Sequence, residues 1–105
     1  MQSSNVETSI IEHEGVRAGG IIVDRDDARI SLTDIAVAAD FRGKGIASTV
    51  ITRLQAEATN GQLPIDLNVD RSNLMALGLY QKLGFEVVGE TDLGLQMRWT
   101  PQIEK

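Results

Sequence analysis

Apolar and polar positions along this chain fall into two periods, and the changes between them divide it into elements. Thr8-Ser9-Ile10-Ile11-Glu12-His13 alternates as a first strand, after a loose N-terminal tail over residues 1–7. Gly15 supplies a turn, and Gly19 to Asp24, centred on Ile21-Ile22-Val23, reads as a second strand. Asp26-Asp27 signals another turn. Arg29 to Val37 sets Ile30 and Leu32 between polar neighbours, then becomes apolar on both faces at Ile35-Ala36-Val37. That pattern predicts a strand half-exposed at one end and buried at the other. Three strands with short turns make an antiparallel meander.

The period then changes. Ile46, Val50, Ile51, Leu54 and Ala58 recur at helical spacing between Gly45 and Thr59, and Asn60-Gly61 ends that helix with glycine in the left-handed position. Pro64 to Val69 reads as a short strand with Ile65, Leu67 and Val69 on one face. Ser72 or Asn73 caps a second helix that runs to Leu83 and stops at Gly84. Phe85–Glu90 and Leu93–Thr100 are two closing strands. The order is βββ-α-β-α-ββ, an α/β arrangement of two helices on a central mixed sheet. At 105 residues, with no repeat or linker, it forms a single domain spanning 1–105.

Composition narrows the chemistry. The chain has no cysteine, and its single histidine is His13, which excludes cysteine nucleophiles, thiolate sites and two-histidine metal sites. No apolar run approaches the roughly 18 residues of a membrane span. MQSSNVETS lacks the basic and apolar regions of a signal peptide, so the expected location is the cytoplasm. Charge is uneven: residues 1–40 carry eight acids against three bases, whereas residues 41–105 balance at seven of each. An acidic half disfavours nucleic acid and suits a cationic ligand.

The densest chemistry is Asp40-Phe41-Arg42-Gly43-Lys44-Gly45-Ile46-Ala47-Ser48, between a strand and a helix. Glycines let backbone approach a ligand, and the unpaired N–H groups and dipole of a helix start favour an anion. Arg42 and Lys44 add positive charge, which makes the segment a candidate phosphate cradle. A Walker A loop needs GxxxxGK[ST], which is absent. A dinucleotide fingerprint fails at Ser48, where a third glycine or alanine belongs, and five residues separate Val37 from Gly43.

Arg42-Gly43-Lys44-Gly45-Ile46-Ala47 matches the [QR]xxGx[GA] loop of the GNAT superfamily of acetyl-CoA-dependent N-acetyltransferases. Asp34-Ile35-Ala36-Val37 resembles the strand end that precedes that loop, and Asn73 to Phe85 matches the family's NxxAxxLYxxxGF pattern. The resemblance covers roughly residues 8–100. It implies that the strands ending at Val37 and Val69 splay apart, with the pantetheine arm of acetyl-CoA in the gap. The contacts it implies are Ile35, Ala36 and Val37, the loop residues Arg42, Gly43, Lys44, Gly45, Ile46, Ala47 and Ser48, and Asn73, Ala76 and Tyr80 on the second helix.

It further implies direct attack of an amine on the thioester, with no acyl-enzyme and no metal. A backbone N–H near Val37 would polarise the carbonyl. Tyr80 would donate to the departing thiolate, by hydrogen bond or full proton transfer. Asp34 is the first candidate for general base, with Glu12 and His13 as alternatives on the first strand. Asn73 has a second reading as a plain helix cap, and Gly78 is expected either to let pantetheine approach or simply to fit against the sheet. A GNAT-like module that senses acetyl-CoA with little catalysis is the alternative function.

Domains of this family usually open with a strand and two helices, for which this chain has no room before its first strand. That departure leaves the acceptor undefined and a sheet edge uncovered, and it predicts a homodimer.

Overall fold

The computed structural model describes residues 5–102. Six strands form one mixed sheet: β1 (Asn5–His13), β2 (Val16–Arg25), β3 (Ile30–Val37), β4 (Ile65–Val69), β5 (Glu86–Thr91) and β6 (Gly94–Trp99). Their spatial order is β1-β2-β3-β4-β6-β5, and among the described residues the one parallel pair is β3 with β4. Two helices, α1 (Ile46–Gly61) and α2 (Leu74–Lys82), fill the βα and αβ connections. The element order read from the sequence is therefore the observed one. None of the helices among the described residues is long and apolar enough to cross a membrane.

Both helices lie on one face of the sheet. Ile51, Leu54 and Ala58 of α1 and Tyr80 of α2 share one core with Ile65, Leu67 and Val69 of β4 and Met97 of β6. Gln55 Nε2 of α1 donates to the Leu83 carbonyl at the end of α2, at 2.9 Å. The opposite face is polar over β4 and β6, where Asp66 accepts from Arg98 Nε at 2.6 Å and from Arg29 Nη1 at 3.3 Å. Alternation along β4 and β6 is thus the alternation between a helix-covered core and water.

Four local expectations need correction. Residues 5–7 belong to β1 rather than to a loose tail, held because Glu7 pairs with Val23 in the ladder and with Arg25 Nη1 at 2.7 Å; residues 1–4 of that tail lie outside the described residues. Gly61 is the last residue of α1, and the left-handed position falls on Gln62 (φ 58°). The Leu63 N–H bonds back to the Ala58 carbonyl at 2.9 Å, closing the helix one residue later than the glycine suggests. The far end of β3 is not buried on both faces: Ile35 and Val37 pack toward the core, and Ala36, alternating with them, falls on the sheet face that carries no helix and is exposed. A one-turn 3₁₀ segment, Ala39–Phe41, fills part of the five-residue gap before Gly43.

Candidate active site

The site begins where β3 and β4 part. They pair only over Ile30–Leu32 and Ile65–Leu67, yet β3 runs on to Val37 and β4 to Val69. The divergence coincides with a β-bulge. Ile22 faces Asp34 while Val23 faces Leu32, so Thr33 is an extra residue in β3.

Register then decides which backbone groups enter the gap. Ala38 N–H donates to the Ala18 carbonyl at 2.7 Å, which makes Ala18–Ala38 a hydrogen-bonded pair. Antiparallel pairs alternate, so Ala36 turns its N–H and C=O toward β2, while Ile35 and Val37 turn theirs away, into the gap. Two contacts agree. A Cβ on Gly19 of β2 would meet the Ala36 carbonyl oxygen, and the Val37 carbonyl instead accepts from Arg42 Nε at 3.1 Å. The Val37 N–H and both Ile35 groups are left facing the gap.

The loop above presents further donors. Gly43 and Gly45 have φ of 80° and 76°, which glycine adopts without strain. Gly45 is the N-cap of α1, and no side chain caps that helix. Among the turn, loop and cap hydrogen bonds of the described residues, none satisfies the amides of Gly43 to Ser48. A row of open amides at a helix start carries the positive end of the helix dipole.

These groups line one cleft of about 590 Å³ with Ile35, Ala36, Val37, Arg42, Gly43, Gly45, Ile46, Ala47, Ser48, Asn73, Ala76 and Tyr80. Twelve of the thirteen expected cofactor contacts are brought together there. The thirteenth, Lys44, lines a different groove, between β1 and α1. The positive φ values on either side of it turn its side chain to the other flank of the loop. Phe41, Met75 and Leu79 also line the cleft, although no expectation included them. Met75, Ala76, Leu79 and Tyr80 are spaced i, i+1, i+4, i+5, the stripe one helix face presents, and that spacing is visible in the sequence.

Tyr80 is buried, with its ring 5.7 Å from that of Phe85. Burial raises its pKa above the ordinary tyrosine value, and the negative charge of Asp34 adds to the rise. The phenol therefore keeps its proton at neutral pH and stands as a donor. Asp34 is exposed and lines a smaller cleft of about 150 Å³ with Asn68, Asp70, Asn73, Ala76 and Tyr80, on the same gap between β3 and β4. Asn73 caps α2, its Oδ1 accepting from the Ala76 N–H at 3.2 Å. Glu12 and His13 are not brought to either cleft. They line the β1–α1 groove, where His13 packs edge-on against Phe41 with ring centres 6.1 Å apart. Gly78 is exposed and lines neither cleft, and a Cβ there would meet no protein atom within 4 Å, so a close fit against the sheet does not explain it.

Comparison with known proteins agrees with this architecture. An acetyltransferase of Pectobacterium atrosepticum is 34% identical over 89 residues, 84% of this chain and 63% of that protein. The chain thus spans just under two thirds of the length of that curated relative. The ribosomal-protein-S18-alanine N-acetyltransferase of Escherichia coli superposes with a TM-score of 0.81 at 22% identity, over 95% of this chain and 72% of its own. The PaiA N-acetyltransferase of Thermoplasma acidophilum, solved with coenzyme A, gives 0.79 at 18% identity, over 91% of this chain and 61% of its own. The sequence pattern of the Acetyltransferase (GNAT) family matches residues 2–85, and with the splayed strands, the open-amide loop and the Asn73–Phe85 pattern in place, this chain belongs to the GNAT acetyltransferase family.

Proposed function

We propose that this chain binds acetyl-CoA and transfers its acetyl group directly to a primary amine. The observation that carries the reading is the gap opened at Thr33, with the Val37 N–H on one side and Tyr80 lining the other. Solved relatives of the same fold that hold coenzyme A or acetyl-CoA support it.

Acetyl-CoA supplies the activated thioester. The open amides of Gly43 to Ser48 suit its pyrophosphate, held by backbone donors and the α1 dipole. Arg42 ties the loop back to the end of β3 and adds positive charge beside it. Ile35 N–H and C=O suit the amide groups of the pantetheine arm, which would extend β3 in place of β4. Val37 N–H is placed to stabilise negative charge on a carbonyl oxygen. Tyr80, kept protonated by burial, donates to a thiolate as it departs. In water a phenol titrates near pH 10 and a thiol near 8.5, which leaves full transfer uphill by about 2 kcal/mol, so a strong hydrogen bond serves as well. Asp34, at the gap but exposed, is the carboxylate able to take the ammonium proton, directly or through water.

The acceptor is an amine with net positive charge, since Asp34 and Asp70 both line the small cleft. Cytoplasmic location belongs to the same reading. The test is thiol release from acetyl-CoA across a panel of primary amines matched in size. Turnover favouring dications over neutral and anionic amines is expected. Binding of acetyl-CoA with no turnover on any amine would instead identify a sensing module.

A further inference from the structure

Among the described residues, the outer edge of β1 is the less protected edge of the sheet. Edge strands are normally blunted by shortness, proline, lysine or a bulge. β5, at the other edge, has six residues, a register shift at Val88, and Glu86 and Glu90. β1 has nine residues, no lysine or proline, and an unbroken register with β2 from Asn5 to Ile11. Val6 and Ile10 on it are 64% and 56% exposed.

The backbone parity found at the cleft extends to this edge. Ala18, Gly20 and Ile22 turn their backbone groups toward β3, so Gly19, Ile21 and Val23 turn theirs toward β1. There they face Ile11, Ser9 and Glu7. By alternation, Val6, Thr8 and Ile10 carry their N–H and C=O groups outward, with no partner among the described residues.

We infer that this edge pairs with β1 of a second copy, antiparallel about a two-fold axis through Thr8. That register is chosen twice over. It sets Thr8 against the partner's Thr8 and Val6 against the partner's Ile10, so every outward N–H and C=O of these residues meets its complement. It also joins the two exposed apolar side chains as a cross-strand pair. Glu7, already bonded to Arg25, then faces the partner's Ser9. A one-residue change of register sets outward backbone groups against inward ones. A two-residue change keeps the parity but loses the Val6–Ile10 pair: an axis through Glu7 sets Glu7 against the partner's Glu7, and one through Ser9 leaves Val6 opposite the partner's Glu12. The contact is isologous and closes as a dimer, giving a continuous twelve-stranded sheet with all four helices on one side. No β1 residue lines either cleft between β3 and β4, so the pairing does not depend on what those clefts bind.

The test is sedimentation from micromolar to millimolar protein, together with amide hydrogen exchange of β1. A dimer is expected at the upper end. The Val6, Thr8 and Ile10 amides should be protected there and should lose protection on dilution, while Glu7, Ser9 and Ile11 stay protected throughout. Thr8→Pro removes an outward donor without touching the β1–β2 ladder, and Ile10→Lys replaces an exposed apolar side chain, so each should give a folded monomer. A monomer at every concentration overturns the inference. So does a dimer that persists in both variants with the three outward amides exchanging freely.

Discussion

At the residue scale, Tyr80 is the side chain on which the proposed chemistry turns. It lines both clefts, and its ring packs on Phe85, so replacement by phenylalanine keeps the packing and removes only the hydroxyl. Tyr80→Phe should lower turnover by roughly 10²-fold, the lower range for a positioned proton donor, with acetyl-CoA affinity nearly unchanged. Equal turnover in the variant and the parent removes Tyr80 from the mechanism. Tyr80 and the glycine loop are legible in sequence because fixed spacings around Gly43-Lys44-Gly45 and Asn73–Phe85 carry them. The Lys44 amide stays in the open row of the loop, while its side chain lines the other groove. Sequence spacing puts its Cα in the loop, but the left-handed glycines that flank it decide where the side chain goes. Arg42 reads in sequence as a flanking charge, whereas its Nε also holds the Val37 carbonyl, a contact five residues back that no periodicity encodes.

At the element scale, both helices carry a residue that works against their stability. Gln62 ends α1 with φ of 58°, a conformation that costs a non-glycine residue about 1 kcal/mol. Gln62→Gly should recover most of that, read as a higher midpoint in urea with the slope unchanged. Gly78 sits inside α2 with open space where a Cβ would go. Gly78→Ala should therefore add roughly 0.5–1 kcal/mol and leave acetyl-CoA affinity alone. A loss of affinity in that variant would return Gly78 to the site. The type and order of all eight regular elements are legible, because each apolar run has a clear period and a turn signal at its end. The bulge at Thr33 is not. It depends on how β2 and β4 compete for β3, and a single strand's alternation does not report its neighbours. Nor does a strand report whether a layer covers each of its faces, which is why Ile35-Ala36-Val37 looks buried on both while Ala36 lies on the face without helices.

At the scale of the whole molecule, the polar face is tied together by Asp66. Arg98 holds its carboxyl below the usual carboxylate range, with Arg29 contributing, and the three residues join β4, β6 and the start of β3. A carboxyl whose pKa is depressed by folding contributes its full stability above about pH 4 and loses it as acid protonates the folded form. Thermal stability should fall as pH drops below that point. Asp66→Asn should be less stable at neutral pH and flatter in acid. A parent and variant with parallel acid profiles would show that the pair contributes nothing, as exposed pairs often do.

Acetyl-CoA binding in the cleft between β3 and β4 is the claim on which the rest stands. Its most direct test is calorimetric titration of the chain with acetyl-CoA, with NAD as control and Arg42→Glu alongside. That substitution reverses the charge beside the open amides and breaks the tie to Val37. Micromolar binding of acetyl-CoA, absent for NAD and lost in Arg42→Glu, is the predicted result. No binding at millimolar acetyl-CoA, or equal binding in the variant, would contradict it.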